Sequence, residues 1–186
     1  MSRLKLTSEM AEAAVLGGAV LGGGGGGSMA EGRKMANLAV SLSTVELIDI
    51  DDLDKSSILL NVAAVGAPSA KDAYAEPIHY LRAVELLKKV TGMEIAGIIT
   101  NEAGGLMLGV PVVDAPCNGR AHPTGIMGSL GLHRDKDYRS VQVAVGGCSE
   151  KSTFMEVVAM GTVEKAAAMV RTAAIQAGGL VSVARN

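Results

Sequence analysis

Seven short apolar runs rich in β-branched residues, interleaved with segments of helical spacing, constrain this chain more than any other feature. They are Val45–Ile48, Ile58–Val65, Ile95–Thr100, Val110–Asp114, Val141–Val145, Val157–Val158 and Leu180–Val183. A strand that is apolar at successive positions is covered on both faces, which requires helices on either side of its sheet. The helical segments supply that cover. Thr7–Leu21 sets Met10, Ala13, Ala14, Leu16 and Val20 at helical intervals behind a Thr7 or Ser8 N-cap. Ser28 with Glu31 three residues on is a capping-box signature for a helix to Leu42, with Met35, Leu38, Ala39 and Leu42 on one face. Pro77 opens a helix carrying Ile78, Leu81, Val84, Leu87 and Val90 that stops at Gly92, and Thr162 caps a last one through Ala166, Met169, Val170 and Ala173 to Gly178-Gly179. The pattern predicts a single α/β domain over residues 1–186, with a largely parallel or mixed sheet flanked by helices. One connection is awkward. Asn101–Gly109 has nine residues, whereas a parallel crossover takes about 10–12 or more, so either a stunted helix sits there or the strands on either side are not ordinary neighbours.

Charge and composition narrow the function. The 17 basic and 19 acidic residues nearly cancel, and only Tyr74, Tyr80, Tyr138 and Phe154 are aromatic. With neither a basic stripe nor stacking platforms, nucleic acid is not expected as a partner. Cys117 and Cys148 are too few for a disulfide scaffold or a four-thiolate zinc site, which points to a reducing cytosol. The apolar stretch Ala13–Leu21 is cut by Gly17 and Gly18 and falls short of the roughly 20 residues that span a bilayer, so no membrane partner is expected. A small molecule is the expected ligand.

Three stretches could act on it. The six glycines Gly22–Gly27 run into the start of the Ser28 helix. Bare amides of Gly24, Gly25, Gly26 and Gly27 with Ser28 would suit a carboxylate, phosphate or enolate-like oxygen, and the bland alternative is a flexible helix–helix loop. The second stretch, Asp114 to Thr124, begins where a strand ends and gathers Asp114, Cys117, Asn118, Arg120 and His122. Cys117 and His122 could be a nucleophile and its base, or Asp114, Cys117 and His122 could hold a divalent, zinc-like metal. The structural alternative has Asp114 capping a turn, Arg120 paired with it and Cys117 buried as a small hydrophobe. The third, Asn101-Glu102-Ala103-Gly104-Gly105, also follows a strand. Glu102 could be a general base beside an amide pocket formed with Asn101 and Gly104, against the alternative of an ordinary turn. His79 and His133 are expected at the surface, and Cys148 is expected to be structural.

These residues together carry a resemblance. Leu21 with Gly22–Gly27 opening a helix, Gly66-Ala67-Pro68, Asn101-Glu102-Ala103-Gly104-Gly105, and Val112-Val113-Asp114 with Gly119-Arg120-Ala121 and Pro123 resemble the N-terminal domain of the S-methyl thiohydantoin desulfurase family, from about Thr7 to Val183. The resemblance implies hydrolysis of a C–S bond on a thiohydantoin-type ring, and a β-rich C-terminal domain that this chain does not include. The leading expectation is the substrate- and metal-binding domain of a hydrolase or desulfurase acting on hydantoin-like or thiohydantoin-like rings. It would work as a homo-oligomer or with a partner subunit that supplies the second domain. The competing expectation is a non-catalytic small-molecule-binding or subunit-interaction domain.

Overall fold

The structure, a computed structural model, describes residues 3–22, 28–100, 112–114 and 130–186. In chain order these residues form β1 (Leu4–Lys5), α1 (Ser8–Gly22), α2 (Met29–Leu42), β2 (Glu46–Asp49), β3 (Ile58–Gly66), α3 (Pro77–Thr91), β4 (Ile95–Thr100), β5 (Val112–Asp114), β6 (Ser140–Gly146), β7 (Met155–Gly161), α4 (Val163–Gln176) and β8 (Leu180–Arg185). One mixed sheet takes all eight strands in the order β1-β2-β5-β4-β3-β8-β6-β7. β2, β5, β4 and β3 are mutually parallel, and β8 joins them to the β6–β7 hairpin through antiparallel pairs. β4 and β5 are direct parallel neighbours through Ile98 and Val112, so the short link between them does not displace either strand.

Each face of the sheet has its own helical layer, as the unbroken apolar runs require. Leu60, Val62, Ile98, Val143, Val145 and Ala184 pack on one side with Tyr80, Ala83, Val84 and Leu87 of α3 and with Ala11, Val15, Ala36 and Ala39 of the α1–α2 pair. On the other side Ala144, Val181 and Val183 meet Val170, Ala173, Ala174 and Ala177 at α4. The alternation of neighbouring residues between these two lists is the period of a strand.

The helices form where expected but turn differently. In α1 the buried positions are Ala11 and Val15, while Met10, Leu16 and Val20 are exposed; in α2 they are Ala36 and Ala39, while Leu38 and Leu42 are exposed. Ile78 and Val90 of α3 and Met169 of α4 also face outward. The physical reason is close approach. Alanine faces let α1 and α2 approach closely, so that even a Cβ on Gly32 would stand in ordinary van der Waals contact with Val15 Cγ1, at 3.4 Å, and larger side chains at the alanine positions would hold the helices apart. The ends follow the local chemistry: the Thr7 hydroxyl accepts the Met10 N–H at 3.3 Å, and Gly92 ends α3 in the left-handed conformation. No helix among the described residues is long and apolar enough to cross a membrane.

Candidate functional site at the carboxyl ends of the parallel strands

In an open α/β sheet ligands bind where parallel strands hand the chain to loops. Leu47, Ile48 and Asp49 of β2 pair in register with Val112, Val113 and Asp114 of β5, and Ile98 of β4 pairs with the same Val112. Asp49, Asp114 and Thr100, the last residues of three neighbouring strands, therefore end level with one another. Two aspartates sit in register where β2 and β5 stop. The Asp49 carboxylate accepts the N–H of Asp51 at 3.0 Å and caps the 3-10 turn Ile50–Asp52. The acidic run after β2 is an exposed turn, as its composition predicts.

The sequence-based candidates distribute unevenly over this end of the sheet. Asp114 closes β5 where the strand pattern put it. Cys117, Asn118, Arg120 and His122 lie outside the described residues, as do Asn101, Glu102, Gly104 and Gly24 to Gly27. Ser28 is the N-cap of α2 by position, but its hydroxyl makes no cap bond, and Glu31 pairs with Lys34 at 2.7 Å. The expected capping box does not form, because the glutamate finds a cation one turn on. Among the described residues no group of three His, Cys, Asp or Glu side chains could hold a metal, so of the triad Asp114, Cys117 and His122 only the Asp114 strand position is described.

Sequence reasoning passed over a polar row just below this end. Arg185 of β8 stands in register between Asn61 of β3 and Gln142 of β6. All three are buried, with relative exposures of 2%, 3% and 0%. Register partners share a face, here the α4 face of Ala144, Val181 and Val183. Asn61 Nδ2 donates to the Ile99 carbonyl at 3.2 Å, and Gln142 Nε2 donates to Ser140 Oγ at 3.2 Å. The signal was present as single polar letters inside the apolar runs Ile58–Val65 and Val141–Val145.

The remaining histidines depart from expectation. His79 is 6% exposed, set between the rings of Tyr74 and Phe154 with centroids 5.9 Å away in each case. Its Nδ1 accepts the Glu76 N–H at 3.3 Å, which leaves the proton of the neutral ring on Nε2. The aromatic neighbours and helix α3 desolvate it, and this burial lowers its pKa from the usual 6.5 against the upward pull of Glu76. A group depressed in the folded state contributes stability that is whole above its unfolded pKa and is lost as pH falls through the folded one. The wild-type melting temperature should therefore drop as pH falls below about 6.5, and His79→Phe should flatten that slope; an equal slope in both proteins would contradict the assignment. Beside it the Tyr74 hydroxyl donates to Glu76 at 2.5 Å, and this bond foremost pushes the Tyr74 pKa up to about 12. His133 is half-buried rather than superficial, and its Nδ1 has no hydrogen-bond partner among the described residues. It lines a cavity of about 260 Å³ with Leu132, Tyr138, Thr162 and Glu164, near where β6 begins and β7 ends, on the opposite edge from Asp49 and Asp114. Cys148 is half-buried and makes no disulfide among the described residues; its N–H donates to Thr153 Oγ1 at 2.9 Å, in keeping with a structural role.

Comparison with known families decides what this sheet belongs to: the family described as S-Me-THD-like, N-terminal domain, matches residues 9–157. The chain belongs to that family. Neither a curated protein nor a solved structure matches it. The match takes in the parallel half of this S-Me-THD-like domain and ends inside β7, so that α4 and β8, with Arg185, lie beyond it.

Proposed function

We propose that this S-Me-THD-like domain binds a hydantoin-like or thiohydantoin-like ring at the carboxyl ends of β2, β5 and β4, as the substrate-binding part of a hydrolase or desulfurase. The observation that carries the reading is the in-register ending of Asp49 and Asp114 on adjacent parallel strands, from the second of which the chain continues directly into the sequence bearing Cys117, Asn118, Arg120 and His122. The family match supports the substrate class.

The reaction asks for a simple exchange. Water adds its oxygen to the ring carbon that bears sulfur, the C–S bond breaks, and the sulfur leaves as a thiol or sulfide carrying a proton, while the ring gains a carbonyl. Glu102 is suited to take the proton from water, and Arg120 to hold negative charge as it develops on the ring. The amides of Gly24, Gly25, Gly26 and Gly27, with Ser28, Asn101, Gly104 and Asn118, would hold ring oxygens and nitrogens. The oxygen, sulfur and nitrogen donors of Asp114, Cys117 and His122 form a chemically coherent set for a zinc-like ion with one open position. When bound, such an ion would supply a thiophilic Lewis acid.

A second domain of the family, on the same polypeptide or on a partner, completes the proposal, with a reducing cytosol as its setting. Sulfide or thiol release from an S-methyl or 2-thio hydantoin should appear when a family C-terminal domain is added to this chain. Ring binding without release under either condition would favour a binding or subunit-interaction domain, and neither binding nor release would refute the proposal.

A further inference from the structure

We propose that His79 is a pH-sensitive latch between the segment that follows β3 (residues 67–76) and the turn that joins β6 to β7 (residues 147–154), closed by the neutral imidazole and released by the imidazolium. The inference does not depend on the ring-binding reading above. Both pieces lie at the end of the sheet where β3 stops, since Gly66 of β3 pairs with Leu180 and Gly146 of β6 with Val181, the first residues of β8.

His79 is the third residue of α3, and its Nδ1 accepts the N–H of Glu76, the N-cap, at 3.3 Å. In a capping box this place belongs to Glu or Gln, whose oxygen accepts the N-cap N–H. An imidazole can do the same only while Nδ1 is bare; protonation would set N–H against N–H. The ring is also clasped. It is 6% exposed and lies between Tyr74 of the segment and Phe154 of the turn, with centroids 5.9 Å away in each case. One side chain therefore touches both pieces and caps the helix.

The charges around it decide the direction. Glu76 faces the imidazole from the segment and favours the proton, but its carboxylate also accepts the Tyr74 hydroxyl. Cys148 and Glu150 of the turn act on Tyr74, and Arg82, one turn along α3, is bonded to Glu156 of β7 at 2.6 Å. Burial outweighs Glu76 and holds the His79 pKa below its usual 6.5, so the latch is closed at neutral pH and opens as pH falls through that lowered value. Asp72 of the segment pairs with Lys151 of the turn at 3.0 Å, but both side chains are more than half exposed, and such pairs hold weakly. Ala83, Val84 and Leu87 keep the body of α3 in the core, which confines the release to its first turn and the two pieces it joins.

Two variants separate the latch from general acid unfolding. His79→Gln keeps an acceptor for the Glu76 N–H but does not titrate, and His79→Phe keeps a ring between Tyr74 and Phe154 with neither acceptor nor charge. Hydrogen exchange read by mass spectrometry, corrected for the intrinsic effect of pH, should show wild-type peptides over 72–80 and 147–155 losing about tenfold in protection between about pH 7.5 and about pH 5, the scale of one buried hydrogen bond. Peptides of β3 and β8 should stay protected. Each variant should hold one level of protection across that range. Wild-type protection that does not change with pH would overturn the proposal, as would a pH-dependent loss that persists in either variant. Protection lost at these peptides only together with β3 and β8 would also overturn it, because His79 would then report unfolding of the whole domain.

Discussion

Gly66→Ala should destabilise the fold by roughly 3 kcal/mol, combining backbone strain with overpacking, and should do so without touching any residue proposed to bind a ligand. Gly66 closes β3 at φ +135°, where side chains are rarely tolerated, and a Cβ built on it would lie 2.0 Å from the Gly179 carbonyl oxygen and 2.9 Å from the Leu180 Cα. Both obstacles are backbone, and Ala67 N–H donates to that same Gly179 oxygen at 2.7 Å. Neither strand can yield without breaking the β3–β8 register. The contrast is Gly17→Ala, inside α1, where an added Cβ meets no heavy atom of the described residues within 4 Å. There the same substitution should stabilise by about 0.5–1 kcal/mol, the helix preference of alanine over glycine. Urea unfolding of the two variants beside the wild type should shift the midpoints in opposite directions. A Gly66→Ala midpoint equal to that of the wild type would mean that β3 and β8 do not meet as described.

Cys117→Ser and His122→Ala should each abolish bound metal, and with it ring turnover, while leaving the melting temperature of the metal-free protein unchanged. The three donors are spread over nine residues of sequence that begin at the end of β5, with Pro116 and Pro123 near the ends of that stretch and Gly119 between. Removing one of three protein ligands from a zinc-type site leaves too few donors to compete with water. Elemental analysis after exhaustive dialysis reads the effect directly. The covalent alternative for Cys117 predicts otherwise: no metal in the wild type, alkylation of Cys117 in both wild type and His122→Ala, and turnover lost in the latter. Stoichiometric metal retained by Cys117→Ser would remove the thiolate from the ligand set.

Particular residues explain how much of this the sequence discloses. The strands are legible because burial on both faces leaves them almost wholly apolar, so that Ile58–Val65 and Ile95–Thr100 coincide closely with β3 and β4. Helix positions are legible from their ends, Thr7, Pro77, Gly92 and Thr162. Their rotation is not, because alanine marks the tightest contacts at Ala11, Ala36 and Ala39, while apolarity scores favour Leu16, Leu38 and Leu42, which face outward. Strand order is hidden as well, since nothing local in β8 says that it inserts between β3 and β6. Of the candidate site, Asp114 at a strand end follows from pattern alone, whereas its partner Asp49 needs the pairing of β2 with β5. The row of Asn61, Arg185 and Gln142 is invisible for the same reason: three polar residues distant in sequence become neighbours only through register.

The central claim is that a thiohydantoin ring binds where β2, β5 and β4 end. A backbone amide titration by nuclear magnetic resonance, adding an S-methyl thiohydantoin to the isotope-labelled chain, tests it most directly. The account predicts saturable shifts concentrated at Asp49–Asp52, Ile99–Glu102 and Asp114–Thr124. Shifts centred on Tyr74, His79 and Phe154, or on the cavity of Leu132, Tyr138 and Thr162, with the strand ends unmoved, would contradict it.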